Sequence, residues 1–200
     1  YGFFGGLSNV VTQLLFIIDI ILIGELMTDP LMVTHYKYIS IIPFSLLFLP
    51  RVFMAADFVS LTEKIGQKVY IRNYIKSYQL FFSLLSLLIF SISCFFSKSI
   101  LLLFGKEYVN YSDSFVILIF GITGIFIFRG IYGNLLSSIG KMSVNYYIVS
   151  IAILINILSN FYLIPIYGIK GAAVTSSTLM WFTGIASWVC FNYLYKNKDY

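Results

Sequence analysis

The sequence predicts an all-α integral membrane protein of six transmembrane helices. Three observations lead there. Hydrophobic residues make up 60% of the 200 positions and charged residues 10%, with a mean hydropathy of +0.91. A soluble domain carries about 25% charged residues to cover its surface. The charges also cluster: the runs 77–97, 114–128, 142–169 and 171–195 hold none. Crossing about 30 Å of hydrocarbon takes roughly 20 apolar residues, which three of these runs meet and the fourth approaches. In lipid the backbone must bond to itself, so a spanning element is a helix or a strand of a closed barrel. Barrel strands are short and alternate in polarity. These runs are long and do not alternate, so they are helices.

The first helix covers about 3–27. It is the least uniform, with Gln13, Asp19 and Glu25 inside it. Thr28-Asp29-Pro30 forms a turn, and proline suits the first turn of the next helix. The second helix covers about 31–55. Lys37 and Arg51 leave few uncharged residues between them, and both side chains are long enough to reach the two interfaces. Pro43 and Pro50 are expected to bend it. The segment 56–77 holds Lys64, Lys68, Arg72 and Lys76, a spacing of four that puts the basic groups on one side of a helix. It reads either as an amphipathic stretch on the membrane surface or as a solvated loop.

The third helix covers about 78–97, and 98–113 is a loop centred on Gly105. The fourth covers about 114–136, with Arg129 near its end. A short loop with Gly140 and Lys141 leads into the fifth, about 144–164. A tight turn over 165–170 leads into the sixth, about 171–195.

Basic residues favour the cytoplasmic side of a membrane protein. Arg51, Lys64, Lys68, Arg72, Lys76, Arg129, Lys141, Lys196 and Lys198 fall on one side, and Lys37, Lys98, Lys106 and Lys170 on the other. That nine-to-four split predicts a cytoplasmic C-terminus. The net charge of +5 then reflects orientation and contact with membrane lipids, and nucleic acid is not expected as a partner. The chain begins at Tyr1, and it reads as a piece of a longer protein.

Polar residues inside the apolar runs are the candidate functional groups. A charge at the bilayer centre costs about 2.5–3.5 kcal/mol on insertion scales, so Asp19 should face protein or water. At about 100° per residue, Ser8, Asn9, Thr12, Gln13 and Asp19 fall within roughly 140° of arc. This polar face suggests a water-filled pathway lined by Asn9, Thr12, Gln13 and Asp19. Asn145, Asn156, Ser159 and Asn160 share a stripe about 100° wide on the fifth helix. Ala173, Ser176, Thr183 and Ser187 form another on the sixth. Small and polar stripes also serve helix packing. Arg129 is either an interfacial arginine or a cation facing a cavity, able to pair with Asp19 or grip a phosphate bidentately. Arg51 raises the same question. His35 reads as an interfacial polar residue.

Cys94 and Cys190 lie in apolar runs with no CxxC spacing and read as small hydrophobes. No Ser-His-Asp grouping, metal-ligand spacing or phosphate-cradling loop is visible. No enzyme, metal or cofactor is expected. Gly121-x-x-Gly124 and Gly130-x-x-Gly133 are packing glycines.

At the fifth helix the sequence becomes specific. The stretch 156–175, NILSNFYLIPIYGIKGAAVT, resembles the late-helix signature of bacterial polysaccharide flippases of the multidrug/oligosaccharidyl-lipid/polysaccharide exporter superfamily, roughly N-x-x-x-N-x-x-L-I-P-x-x-G-x-x-G-A-A-x-A-T. The run 103–108 (LFGKEY) resembles that family's F-G-x-x-Y loop, and 135–141 (LLSSIGK) its L-x-A-x-G-K turn. Asp19, then Leu22, Ile23, Gly24 and Tyr36, resemble its D-x-x-x-L-G…G-x-Y segment, and Pro50 matches a helix proline. Thr34-His35 replaces the small residue usual before the tyrosine, and Ser176 stands where alanine or threonine is common.

The resemblance implies that these helices are helices 7–12, one C-terminal lobe of a two-lobed alternating-access transporter whose N-terminal lobe is missing here. It implies flipping of a lipid-linked (undecaprenyl-pyrophosphate) oligosaccharide across the bacterial plasma membrane. The partners would be that lipid, polysaccharide assembly proteins and a coupling ion, proton or sodium. Asp19 would serve ion coupling or a structural charge pair; Arg129 and Arg51 would meet the pyrophosphate. From their polar stripe, and not from the resemblance, Asn156 and Asn160 are further candidates to line the pathway, with helix packing as the alternative. A drug or cation exporter of the same superfamily, or a membrane polysaccharide polymerase or ligase, is the alternative.

Overall fold

A computed structural model describes residues 17–196. They form an all-α bundle. Helix α1 is helical over 17–26. The rest are α2 (Leu31–Leu46), α3 (Phe48–Glu63), α4 (Lys68–Leu102), α5 (Ser112–Gly124), α6 (Gly130–Ser138), α7 (Met142–Tyr167) and α8 (Ile169–Lys196). Short breaks join some of these into longer rods. Among the described residues, five rods are long and apolar enough to cross a membrane: Leu31–Glu63, Lys68–Leu102, Lys106–Ser138, Met142–Tyr167 and Ile169–Lys196. With α1 they make six helices, and the chain is a multi-pass membrane protein.

The rod Leu31–Glu63 is interrupted at Leu47. Pro50 explains the place. Proline offers no N–H to the carbonyl four residues back and its ring crowds that group, and that carbonyl belongs to Leu46, the last residue of α2. Pro43 is accommodated inside α2.

The segment 56–77 is helical for most of its length rather than a loop. Its first part continues α3 to Glu63, its second opens α4, and only 64–67 form a turn. That turn is pinned where the Tyr195 hydroxyl donates to the Ile65 carbonyl at 2.7 Å. With 35 residues at ~1.5 Å each, α4 runs about 50 Å, well beyond the hydrocarbon. Lys68, Arg72 and Lys76, read as loop signals, stand in the first turns of this long helix, and Lys64 stands in the turn before it. Where a loop was expected over 98–113, α4 continues to Leu102 and a 3-10 turn, Lys106–Tyr111, leads directly into α5.

Two further boundaries differ from expectation. The rod Lys106–Ser138 carries a π-helical segment, Ile125–Arg129, between α5 and α6. The turn expected over 165–170 shrinks to one residue. Helix α7 runs through Pro165 to Tyr167, and α8 starts at Ile169. Gly168 alone reverses the chain, with φ of +58°, a conformation glycine adopts without steric cost.

Helix α8 is the hub, packed against α5, the π segment, α6 and α7. Small residues allow this. A Cβ on Gly121 would lie 2.7 Å from the Ser177 Cα, one on Gly124 2.8 Å from the Trp181 ring, and one on Gly184 2.9 Å from the Gly124 carbonyl. Gly171 sits against the Leu163 backbone with no room for a methyl group. Two apolar clusters fill the bundle, one toward each end. Leu22, Ile23, Tyr36, Leu101, Phe115 and Ile164 belong to one; Met54, Leu61, Phe82, Phe126, Ile131 and Leu135 belong to the other. The outward face of α4 is as apolar as the core, with Leu80, Leu84, Leu87 and Phe95 all exposed. So large a bare apolar surface belongs in lipid.

Candidate functional site

The bundle contains two polar layers, each built on the α7–α8 hairpin. The first surrounds Asp19, which is 0% exposed. Its Oδ2 accepts hydrogen bonds from the Tyr36 hydroxyl at 2.8 Å and from the Ser176 hydroxyl. Its Oδ1 accepts from Asn156 Nδ2 at 2.9 Å and Asn160 Nδ2 at 2.7 Å. Asn160 Nδ2 is shared with the Asn156 Oδ1 at 3.0 Å. The donors come from α2, α7 and α8. Asn156 and Asn160 are one turn apart, so both amides face the same neighbour. Tyr36 is fully buried and brings its hydroxyl through the apolar cluster.

Every donor to this carboxylate is neutral, and among the described residues no basic side chain pairs with Asp19. A buried carboxylate usually holds a cation or several hydrogen bonds. Here it has the hydrogen bonds. One oxygen of this layer, Asn160 Oδ1, is buried with no hydrogen-bond partner, as is Thr175 Oγ1, next to Ser176 in sequence.

The second layer surrounds Arg129, the last residue of the π segment. Its Nη1 donates to Asn145 Oδ1 at 2.9 Å and to the Ser187 hydroxyl at 2.5 Å. Asn145 is itself held by Nδ2 donation to the Gly133 carbonyl at 2.6 Å and the Ser137 hydroxyl at 3.2 Å. Ser187 donates to the Thr183 carbonyl at 2.7 Å. Arg129 therefore does not pair with Asp19. Asn145 and Asn156 stand eleven positions apart on α7, and so do Ser187 and Ser176 on α8. At 1.5 Å per residue the layers are about 16 Å apart. The π segment matters to this placement, because such segments occur mostly as single wide turns that re-aim the residues beyond them, often at functional positions.

Of the residues singled out from sequence, Asp19, Asn156 and Asn160 converge. Arg129 forms its own layer. Arg51 is exposed near the start of α3, away from both. Asn9, Thr12 and Gln13 lie outside the described residues. Four contributors were missing from that set: Tyr36, Ser176, Asn145 and Ser187. Three of them lay on the polar stripes of the fifth and sixth helices. Tyr36 gave no periodic signal, since tyrosine reads as part of an apolar run. Among the described residues no three His, Cys, Asp or Glu side chains cluster as for a metal.

The fold and these layers define a helical multi-pass membrane protein with an acid and a base sequestered at different depths. Comparison with known proteins adds one relative. A stretch of 107 residues, 52% of this chain, is 38% identical to the capsular polysaccharide biosynthesis protein CapF of Staphylococcus aureus. The stretch covers 26% of that protein, so the chain spans only about a quarter of its relative. No protein-family model and no solved structure matches the chain.

Proposed function

We propose that this chain is one lobe of an exporter that flips a lipid-linked oligosaccharide, carried on undecaprenyl pyrophosphate, from the inner to the outer leaflet of the plasma membrane by alternating access. The observation that carries this reading is Asp19, a fully buried intramembrane carboxylate with only neutral partners. An ionisable group inside a membrane bundle marks an ion or substrate path by default. The similarity to a capsular polysaccharide biosynthesis protein supports the cargo class, and the flippase-like stretch 156–175 supports the mechanism.

Asp19 is sealed from solvent, so it suits a coupling ion rather than the cargo. Its carboxylate, with the side-chain oxygens of Asn156, Asn160 and Ser176 close by in the layer, offers hard oxygen ligands for sodium. The same carboxylate can instead take up a proton. The cationic layer at Arg129, which keeps Nε and Nη2 free of partners among the described residues, suits the pyrophosphate. The N-terminal lobe would supply the rest of the cavity.

The test is reconstitution of the full-length protein in liposomes with fluorescent lipid-linked oligosaccharide. Flipping that depends on a proton or sodium gradient, and that Asp19→Asn abolishes at normal expression, is the expected result. Gradient-independent flipping unaffected by Asp19→Asn would remove the ion-coupling role. Efflux of a cationic dye without any lipid flipping would favour a drug exporter, and turnover of the sugar chain would favour a polymerase or ligase.

A further inference from the structure

A cleft at the end of the bundle where α4 finishes and α5 and α8 begin belongs to neither polar layer. It has a volume of about 440 Å³. Lys98 comes from α4, Ser112 and Asp113 from the first turn of α5, and Lys170 from the first turn of α8. Ser97 and Cys94 complete the α4 side, and Val116 and Ile117 give an apolar floor.

Two features of this cleft call for a ligand. Ser97 is 7% exposed and Ser112 9%, yet neither hydroxyl bonds to another described residue. Both side chains line the cleft and are more than nine-tenths buried, so their hydroxyls keep their donating capacity for whatever occupies it. The charges are also unbalanced. Lys170 Nζ lies 3.1 Å from Asp113 Oδ2, which neutralises that carboxylate. Lys98 has no partner among the described residues, so the rim carries one surplus positive charge. Two hydroxyl donors and two ammonium groups around one surplus charge suit a singly charged phosphodiester. On the side of α4 that carries Cys94 and Lys98, Leu80, Leu84 and Leu87 follow below the cleft at helical spacing and are exposed, a surface for acyl chains.

We propose that this cleft seats the phosphate of one anionic phospholipid, with Ser97, Ser112, Lys98 and Lys170 as its ligands and the chains lying along α4. The site requires only that the chain spans a membrane, and stands apart from the proposed transport. The lipid is preferred over a soluble phosphate ester because the apolar floor and the α4 face adjoin the phosphate position.

Cys94, exposed at the cleft and one turn from Lys98, reports occupancy. The full-length protein in nonionic detergent is treated with N-ethylmaleimide, and modification of Cys94 and Cys190 is followed by peptide mass spectrometry. Phosphatidylglycerol should slow Cys94 modification at least several-fold and leave Cys190 unchanged. Lys98→Gln with Lys170→Gln should remove that protection. Ser97→Ala with Ser112→Ala, which disturbs no ion pair, should raise the lipid concentration needed. No protection by phosphatidylglycerol, or equal protection by a neutral diacylglycerol, would overturn the proposal. So would protection that both double variants retain. Protection by glycerol 3-phosphate but not by the lipid would overturn it in favour of a soluble ester.

Discussion

The acid layer and the base layer draw on the same two helices in the same way. Each takes asparagine from α7 and one serine from α8, and the eleven-residue offsets match because the helices run antiparallel. The outcomes differ. Asp19 is closed off, with both oxygens saturated by four donors. Arg129 is largely buried but keeps some exposure, and both its recorded bonds leave from Nη1. A guanidinium has five N–H groups, so most of its donating capacity is left over. One layer closes its carboxylate with neutral donors and leaves one acceptor oxygen, Asn160 Oδ1, unpaired. The other holds its cation in place and leaves it able to bind more.

That difference ranks the effects of substitution. Asp19→Ala should be the most damaging. It strands the hydroxyls of Tyr36 and Ser176 and the amides of Asn156 and Asn160, at about 1–3 kcal/mol for each buried group left unpaired. Thermal unfolding in detergent should shift down by more than any other single change in either layer. A shift no larger than that of Arg129→Ala would erase the distinction between a closed and an open layer.

Gly171→Ala should come next, because it pushes α8 away from Leu163 in α7. Overpacking of this kind costs about 1–3 kcal/mol. Both layers straddle this hairpin, so the change should weaken both together. Cross-linking of paired cysteines at Asn145/Ser187 and at Asn156/Ser176 would read each layer separately. A loss confined to one pair would mean that the hairpin does not hold the two in common register.

Asn160→Ala should cost less, about 1 kcal/mol, since it removes one of four donors and also an unpaired buried oxygen. Its effect on gradient-dependent flipping should exceed its effect on unfolding temperature. Arg129→Lys should be smallest for stability, within about 1 kcal/mol, because a cation that keeps some exposure still reaches Asn145 or Ser187. The forked geometry would be lost, so export should fall much further than stability does. Unchanged export with Arg129→Lys would reduce this layer to an anchor.

The acid layer was partly legible in the sequence. An aspartate in an apolar helix has to be satisfied somewhere, and Asn156 and Asn160 were visible as a polar stripe, but the partner suggested for Asp19 was Arg129, which the structure places in the other layer. Ser176 was visible as a stripe member but not as a partner, because periodicity gives a face and not its neighbour. The pairing of Arg129 was not legible. Its position follows from the π segment, and no local propensity in Ile125–Arg129 announces a wide turn. The misread boundaries share one cause. Charge at 64–76 and Pro165 at the end of an apolar run are both loop signals, yet a helix can project beyond the bilayer and can carry a proline in its last turn.

The single-residue connection at Gly168 has a mechanical consequence. A linker of one residue has no slack, so α7 and α8 cannot slide past each other by the 5.4 Å of one helical turn without unwinding one of them. The hairpin therefore behaves as a stiff strut that fixes the depth of the carboxylate relative to the guanidinium. Motion that opens this bundle has to be taken up elsewhere, and the interruption at Leu47, where the backbone ladder is already broken by Pro50, is the compliant joint nearest to hand.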